Sequence, residues 1–158
     1  MSKTIVLAVD AARHVSAAAE MTRELSRDSG DRVIVLHVHE FAVGRFGRIQ
    51  VDCPEGAGER LVAEIVDDLK RAGVTADADI REANYGHVVR KILDVADEHD
   101  ARMLVLGSRG RADLPYIALG SVSHRLLHAA RRPVLIVPGQ PHTSAAPTPA
   151  SAAATTAG

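Results

Sequence analysis

The chain has 158 residues, a length that suits one domain, and 46% of them are hydrophobic, which is enough for a substantial core. The formal charge of −1 argues against the strong positive field that nucleic acid or an anionic membrane surface attracts. Cys53 is the single cysteine, so no disulfide can form within the chain, and no apolar run reaches the ~18 residues that span a bilayer. We therefore expect a cytoplasmic protein with neither a nucleic-acid nor a membrane partner.

Aliphatic runs and segments of helical spacing alternate along the chain. Continuous aliphatic runs are typical of strands that are covered on both faces, and apolar residues three or four positions apart predict amphipathic helices. In chain order the patterns predict strand 5–9, helix 15–30, strand 33–38, helix 61–69 closed by Gly73, edge-like strand 74–80, helix 88–96, strand 103–106, helix 122–130 and strand 133–137.

This order of elements predicts an α/β fold with a single-domain, open, parallel five-stranded sheet and helices on both faces, which is a Rossmann-like architecture. The domain is expected to cover residues 1–138. Residues 139–158 are rich in Ala, Thr, Ser and Pro and predict a disordered tail. The connection 40–58 contains four glycines and a proline, and it is expected to be either a functional flap or simply a long mobile loop.

A glycine-rich segment links the fourth predicted strand to the last helix. It contains Gly107 and Gly110 and ends in Gly120-Ser121. Ligands of open α/β sheets bind at the carboxyl ends of strands, and a helix N-terminus presents free N–H groups to anions. Glycine lets the backbone approach phosphate oxygens closely. The segment therefore predicts a polyphosphate site, although such spacing by itself also fits a simple strand-to-helix turn.

The pattern Gly107-x2-Gly110-x9-Gly120-Ser121 resembles the ATP-binding motif of the universal stress protein family. Residues 5–10 resemble the first strand of that family and its acidic end, and residues 131–137 resemble the last strand. The resemblance implies the universal stress protein type of Rossmann-like fold and ATP as the ligand, with Mg²⁺ as its ordinary metal. It also implies a homodimer that pairs through the last strand, Pro133–Val137.

The resemblance also implies which residues contact the nucleotide. These are Val9, Asp10, Val38, Leu106, Gly107, Arg109, Gly110, Gly120, Ser121 and Val122. Asp10 would sit beside the adenine and ribose, and Gly120-Ser121 would hold phosphates. Two of these residues have plainer interpretations: an Asp after a strand is a common helix cap, and an Arg such as Arg109 commonly faces solvent.

Two histidine pairs are candidates for metal binding. His37 and His39 share one face of a strand, and His124 and His128 share one face of a helix. A zinc site needs three or four ligands, so the pairs alone predict no metal site. Cys53 would need a depressed pKa and a nearby base to act as a nucleophile.

Catalytic motifs are missing from the sequence. It has neither a Walker loop, a dinucleotide fingerprint nor a nucleophile elbow, and the His-x-Gly-His pattern of adenylate-forming enzymes is absent. We therefore expect a regulatory ATP-binding module of the stress response that is not an enzyme. The alternative is a dimeric scaffold that keeps the fold without the nucleotide, and an adenylyl-transfer enzyme is the least favoured class.

Overall fold

The aliphatic runs form strands and the amphipathic segments form helices in the computed structural model, which describes residues 2–11, 16–108 and 119–139. No helix in these ranges is both long and apolar enough to cross a membrane. In chain order the elements are β1 Thr4–Val9, α1 Ser16–Ser29, β2 Arg32–Gly44, β3 Gly47–Gln50, α2 Ala57–Arg71, β4 Ala76–Asn84, α3 Val88–Glu98, β5 Ala101–Gly107, α4 Ser121–Ala129 and β6 Val134–Val137.

Five strands form a parallel sheet, as the sequence predicts. β1 lies between β2 and β5, while β4 pairs with β2 and β6 pairs with β5, so the parallel order is β4-β2-β1-β5-β6. The chain builds outward from β1 through β2 to β4, then crosses back to β5 on the other side of β1. The strand order therefore reverses between β1 and β5, and such a switch point opens a crevice at the carboxyl ends of the strands.

The predicted five-stranded sheet is one strand short, and the prediction of a long loop over 40–58 is wrong. β2 continues to Gly44 and turns back through a two-residue loop into β3, which pairs with it antiparallel. Phe41 pairs with Asn84 of β4 and with Gln50 of β3, so the two strands flank β2 on opposite sides. The β2–β3 hairpin therefore stands beyond the carboxyl end of β1, next to the crevice.

Helices cover both faces of the sheet. Residues alternate between faces along a strand, so odd-numbered positions such as Leu7 and Val35 pack with α1 and α2. Even-numbered positions such as Leu36 and Leu104 pack with α3 and α4. Burial of both faces explains why the central strands are continuous aliphatic runs.

Some predicted features lie outside the described residues. The predicted helix start at Val15 is one, since α1 is described from Ser16, and the predicted tail from residue 140 onward is another. β4 is longer than predicted, and β2 is its partner in the described part of the sheet, so it is an edge strand as predicted.

Candidate functional site

A cavity of about 290 Å³ opens at the carboxyl ends of the central strands. It lies at the switch point between β1 and β5, with β2 on its other side. The lining residues come from every neighbouring element: Ala8, Val9, Asp10, Leu36, His37, Val38, Glu40, Val51, Asp52, Val88, Ile92, Leu106, Gly107, Ser108, Val122 and Ser123.

The structure brings most of the predicted nucleotide contacts together. Six of the ten line the cavity, namely Val9, Asp10, Val38, Leu106, Gly107 and Val122. Gly120 and Ser121 are outside the lining set and form the cap and first residue of α4. Arg109 and Gly110 lie outside the described residues.

The walls of the cavity include residues that sequence reasoning did not assign to a site. From α3 come Val88 and Ile92, whose apolar spacing indicates only a helix face toward the core. Val51 and Asp52, which follow β3 within the segment 40–58 that was predicted as a loop, line the cavity as well. Glycine spacing would not identify these positions, because they depend on how the elements pack.

The first turn of α4 reaches the cavity with backbone donors that the helix itself does not pair. Gly120 is an extended N-cap, and the His124 N–H donates to the Gly120 carbonyl at 2.9 Å as the first bond of the helix. The N–H groups of residues 121–123 precede that bond, and helix geometry gives them no partner within the helix. Ser123 is 4% exposed and lines the cavity beside Val122. The turn therefore offers backbone donors and the positive end of the helix dipole to an anion.

A second cluster of polar side chains lies on the hairpin side of the cavity. His37 and His39 are neighbours on one face of β2, and both are nearly buried. Asp52 Oδ2 is 3.0 Å from His37 Nε2 and 3.1 Å from His39 Nδ1. Cys53 Sγ is 3.1 Å from the same carboxylate oxygen and 3.8 Å from His37 Nε2.

The environment of Cys53 does not activate it as a nucleophile. Burial raises the pKa of the thiol, and its hydrogen bond to the Asp52 carboxylate raises it further, to about 11. Burial also tends to raise the pKa of Asp52. Hydrogen bonds from Cys53, His39 and the Glu40 backbone outweigh that effect and hold it at about 2. The protein therefore carries a protonated thiol beside an ionised carboxylate at neutral pH, which is the reverse of a catalytic thiolate.

The sequence profile of the universal stress protein family matches residues 1–138. The chain belongs to the universal stress protein family. Among curated relatives, universal stress protein YxiE of Bacillus subtilis is 28% identical over 152 residues, and the match covers 87% of this chain and 99% of the relative.

Solved structures of universal stress proteins share the fold. One from Archaeoglobus fulgidus superposes with a TM-score of 0.70 at 23% identity, covering 87% of this chain and 99% of that one. A structure from the same organism in complex with dAMP has a TM-score of 0.62 at 22% identity, covering 85% and 97%. A universal stress protein in complex with cAMP has a TM-score of 0.60 at 25% identity, covering 86% and 96%.

Proposed function

We propose that this universal stress protein binds ATP, together with Mg²⁺, in the cavity between β1 and β5. The observation that carries the proposal is that the cavity lies at the switch point of the sheet and is joined to the first turn of α4. Its volume of about 290 Å³ is close to the ~300 Å³ at which small-molecule pockets begin.

The lining suits the parts of an adenine nucleotide. Val38, Leu106 and the α3 residue Ile92 offer apolar surface for a base. Asp10 follows β1 directly and lines the cavity, and we expect its carboxylate to accept hydrogen bonds from ribose hydroxyls. The backbone donors at the start of α4 favour phosphate groups. Mg²⁺ would arrive bound to the phosphates, because that ion prefers oxygen ligands and usually binds proteins through substrate phosphates.

Two related structures support an adenine nucleotide as the ligand class. One universal stress protein of the same fold was solved with dAMP and another with cAMP. The triphosphate is our inference from the glycine spacing that ends in Gly120-Ser121. The sequence lacks catalytic phosphate-transfer motifs, which favours a regulatory module over an enzyme.

Blocking the cavity at Gly107 should abolish ATP binding. A Cβ at Gly107 meets no atom of the described residues within 4 Å, and Gly107 lines the cavity, so we expect a leucine there to occupy cavity space. With ATP–Mg²⁺ at a hundredfold excess over its dissociation constant, the wild type should gain ~2.7 kcal/mol of stability. Gly107→Leu should gain almost nothing. Differential scanning fluorimetry measures both, and isothermal titration gives the dissociation constant.

Gly139 provides the matched control for this experiment. Within residues 2–11, 16–108 and 119–139, a Cβ there also meets no atom within 4 Å, and Gly139 is outside the cavity lining. Gly139→Leu should therefore keep the full ATP-dependent shift. An unshifted wild type, or equal shifts in both leucine variants, would reject the proposed site.

The dimeric scaffold is the second candidate, and the position of β6 favours it. β6 forms an edge of the described sheet, and Val134, Leu135 and Ile136 are only partly buried. Such an edge can pair with the same edge of a second copy across a two-fold axis. We propose that segment 133–137 forms a homodimer in this way, with or without nucleotide.

Ile136→Pro should separate the dimer while keeping the monomer folded. The Leu104 N–H donates to the Pro133 carbonyl and the Ser108 N–H to the Val137 carbonyl. The backbone N–H and C=O groups of odd-numbered residues in this segment therefore point toward β5. The Ile136 N–H therefore points outward, and proline is tolerated at such edge positions. Sedimentation velocity should show a wild-type dimer and a monomeric variant. A monomeric wild type would rule out this assembly.

A further inference from the structure

We propose that His37, His39, Asp52 and Cys53 form a tetrahedral zinc site at the base of the β2–β3 hairpin. The sequence predicts no metal site, because each of its two histidine pairs supplies only two ligands. The hairpin supplies two further ligands by carrying Asp52 and Cys53 back to β2. One donor atom from each of the four side chains lies within 4.8 Å of all the others.

The distances between donor atoms approach those of a tetrahedron around zinc. With Zn–N and Zn–O near 2.0–2.1 Å and Zn–S near 2.3 Å, neighbouring donors of a tetrahedral site are about 3.3–3.6 Å apart. The observed separations that involve Asp52 Oδ2 are 3.0, 3.1 and 3.1 Å, and Cys53 Sγ lies 3.8 Å from His37 Nε2. The remaining pairs of donor atoms lie within 4.8 Å, so some side chains would move by up to about 1 Å to complete the coordination.

Outer hydrogen bonds orient both imidazole rings toward the same point. His37 Nδ1 lies 2.9 Å from the Val9 carbonyl, an acceptor that requires the N–H on Nδ1 and directs Nε2 at the cluster. His39 Nε2 lies 2.8 Å from Glu59 Oε1 and donates to it, which directs Nδ1 at the cluster. Metal-binding histidines are characteristically held in this way by a carbonyl or carboxylate behind the ring.

The anionic ligands are anchored as well. Asp52 Oδ1 accepts the Glu40 N–H at 3.1 Å, which leaves Oδ2 for the metal. The Gly58 backbone N–H, in the first turn of α2, favours the ionised form of the Cys53 thiol, which is the form that binds a metal. Zinc would displace the thiol proton and the hydrogen bond from Gln50 Nε2 to His39 Nδ1, which is 3.0 Å long. The ion and two anionic ligands then sum to zero charge, as suits a nearly buried site.

Nitrogen and sulfur donors in this arrangement select zinc over magnesium or calcium, which prefer oxygen ligands. Four protein ligands fill the tetrahedron, which is the pattern of a structural site. His37 and Asp52 also line the cavity, so an ion has a route to the cluster from that side. The metal would hold Asp52 and Cys53, which follow β3, against the histidines of β2. It would thereby fix one wall of the cavity.

The test uses the untagged full chain with zinc or Co²⁺ alone and no nucleotide, so its outcome is independent of ATP binding. Wild type should retain a single zinc ion per chain after gel filtration, by elemental mass spectrometry. Bound Co²⁺ should give the visible absorption bands typical of tetrahedral coordination, together with a sulfur-to-cobalt charge-transfer band. Cys53→Ser should lack the charge-transfer band. Glu59→Ala removes the carboxylate behind the His39 ring and should lower the affinity for zinc by about 10–100-fold.

His124 and His128 provide the matched control. Their ring centroids are 4.7 Å apart, the same separation as those of His37 and His39, but both histidines are exposed on α4. The variant with both His124→Gln and His128→Gln should keep its zinc, whereas Cys53→Ser and His39→Gln should lose it while circular dichroism remains native. A zinc-free wild type, or zinc lost only in the α4 variant, would overturn the proposal.

Discussion

Leu126→Ala is expected to lower the free energy of unfolding by about 2.7–5 kcal/mol, which is the range for buried leucines truncated to alanine. Leu126 is fully buried and belongs to the core cluster between the sheet and the helices α3 and α4. Its truncation removes apolar contacts and leaves a cavity that rigid β-strand neighbours cannot fill. Because α4 also carries the proposed phosphate donors, the variant should bind ATP more weakly as well.

The neighbouring residue of the same helix provides the control for this loss. Leu127 is 46% exposed, and Leu127→Ala makes the same chemical change with the same effect on helix propensity. Its effect on stability should stay within about 0.5 kcal/mol, as for other surface substitutions. Urea denaturation, with midpoint and slope compared, measures both variants. Equal losses at the two positions would contradict the assigned packing of α4.

Sequence reasoning succeeded for the central sheet because burial on both faces leaves an unambiguous pattern. A run such as Ile5–Val9 has no polar residue to place on a solvent side, so it predicts a strand covered by helices on both faces. The structure confirms this, with odd and even positions in two separate clusters. Alternation of strands and helices then restricts the topology to parallel crossovers.

The hairpin was missed because its sequence pattern is weak. Phe41 and Val43 alternate with polar or small residues, but Gly44 and Gly47 suggested a loop. These glycines in fact flank a two-residue turn, and Gly47 has a φ of 120°. Glycine at that point lets the chain reverse with a backbone conformation that other residues rarely adopt.

The sequence predicted only the part of the candidate site that has a local pattern. Glycines and strand ends, such as Gly107 and Leu106, can be recognised by their local pattern. The contributions of Ile92 and Asp52 depend on how distant elements pack, which one sequence does not reveal. The even spacing of His37 and His39 correctly placed them on one face. Counting ligands along the chain could not show that the hairpin register brings Cys53 to the same place.

Gly58→Ala is expected to destabilise the protein by about 1–3 kcal/mol, the usual cost of overpacking a filled site. In an ordinary helix the same change would stabilise by about 1 kcal/mol, because alanine is the better helix former. Gly58 lies in the first turn of α2, where an added Cβ would be 2.2 Å from His37 Cδ2 and 3.0 Å from His39 Cε1. The His37 ring is nearly buried and hydrogen-bonded at Nδ1, so moving it aside costs packing contacts and that hydrogen bond.

A double-mutant cycle separates this clash from a general defect of α2. His37→Ala removes the ring that the new methyl group meets, so the Gly58→Ala/His37→Ala protein should be more stable than the sum of the single effects predicts. Coupling between contacting residues amounts to about 0.5–3 kcal/mol. Gly139→Ala, where the Cβ is in open space, should be nearly neutral in the same urea titrations. A stabilised Gly58→Ala, or additive effects with His37→Ala, would show that α2 does not press on the histidine pair. With the clash present, Gly58→Ala should also weaken zinc binding, because the ring that carries Nε2 is displaced from the other donor atoms.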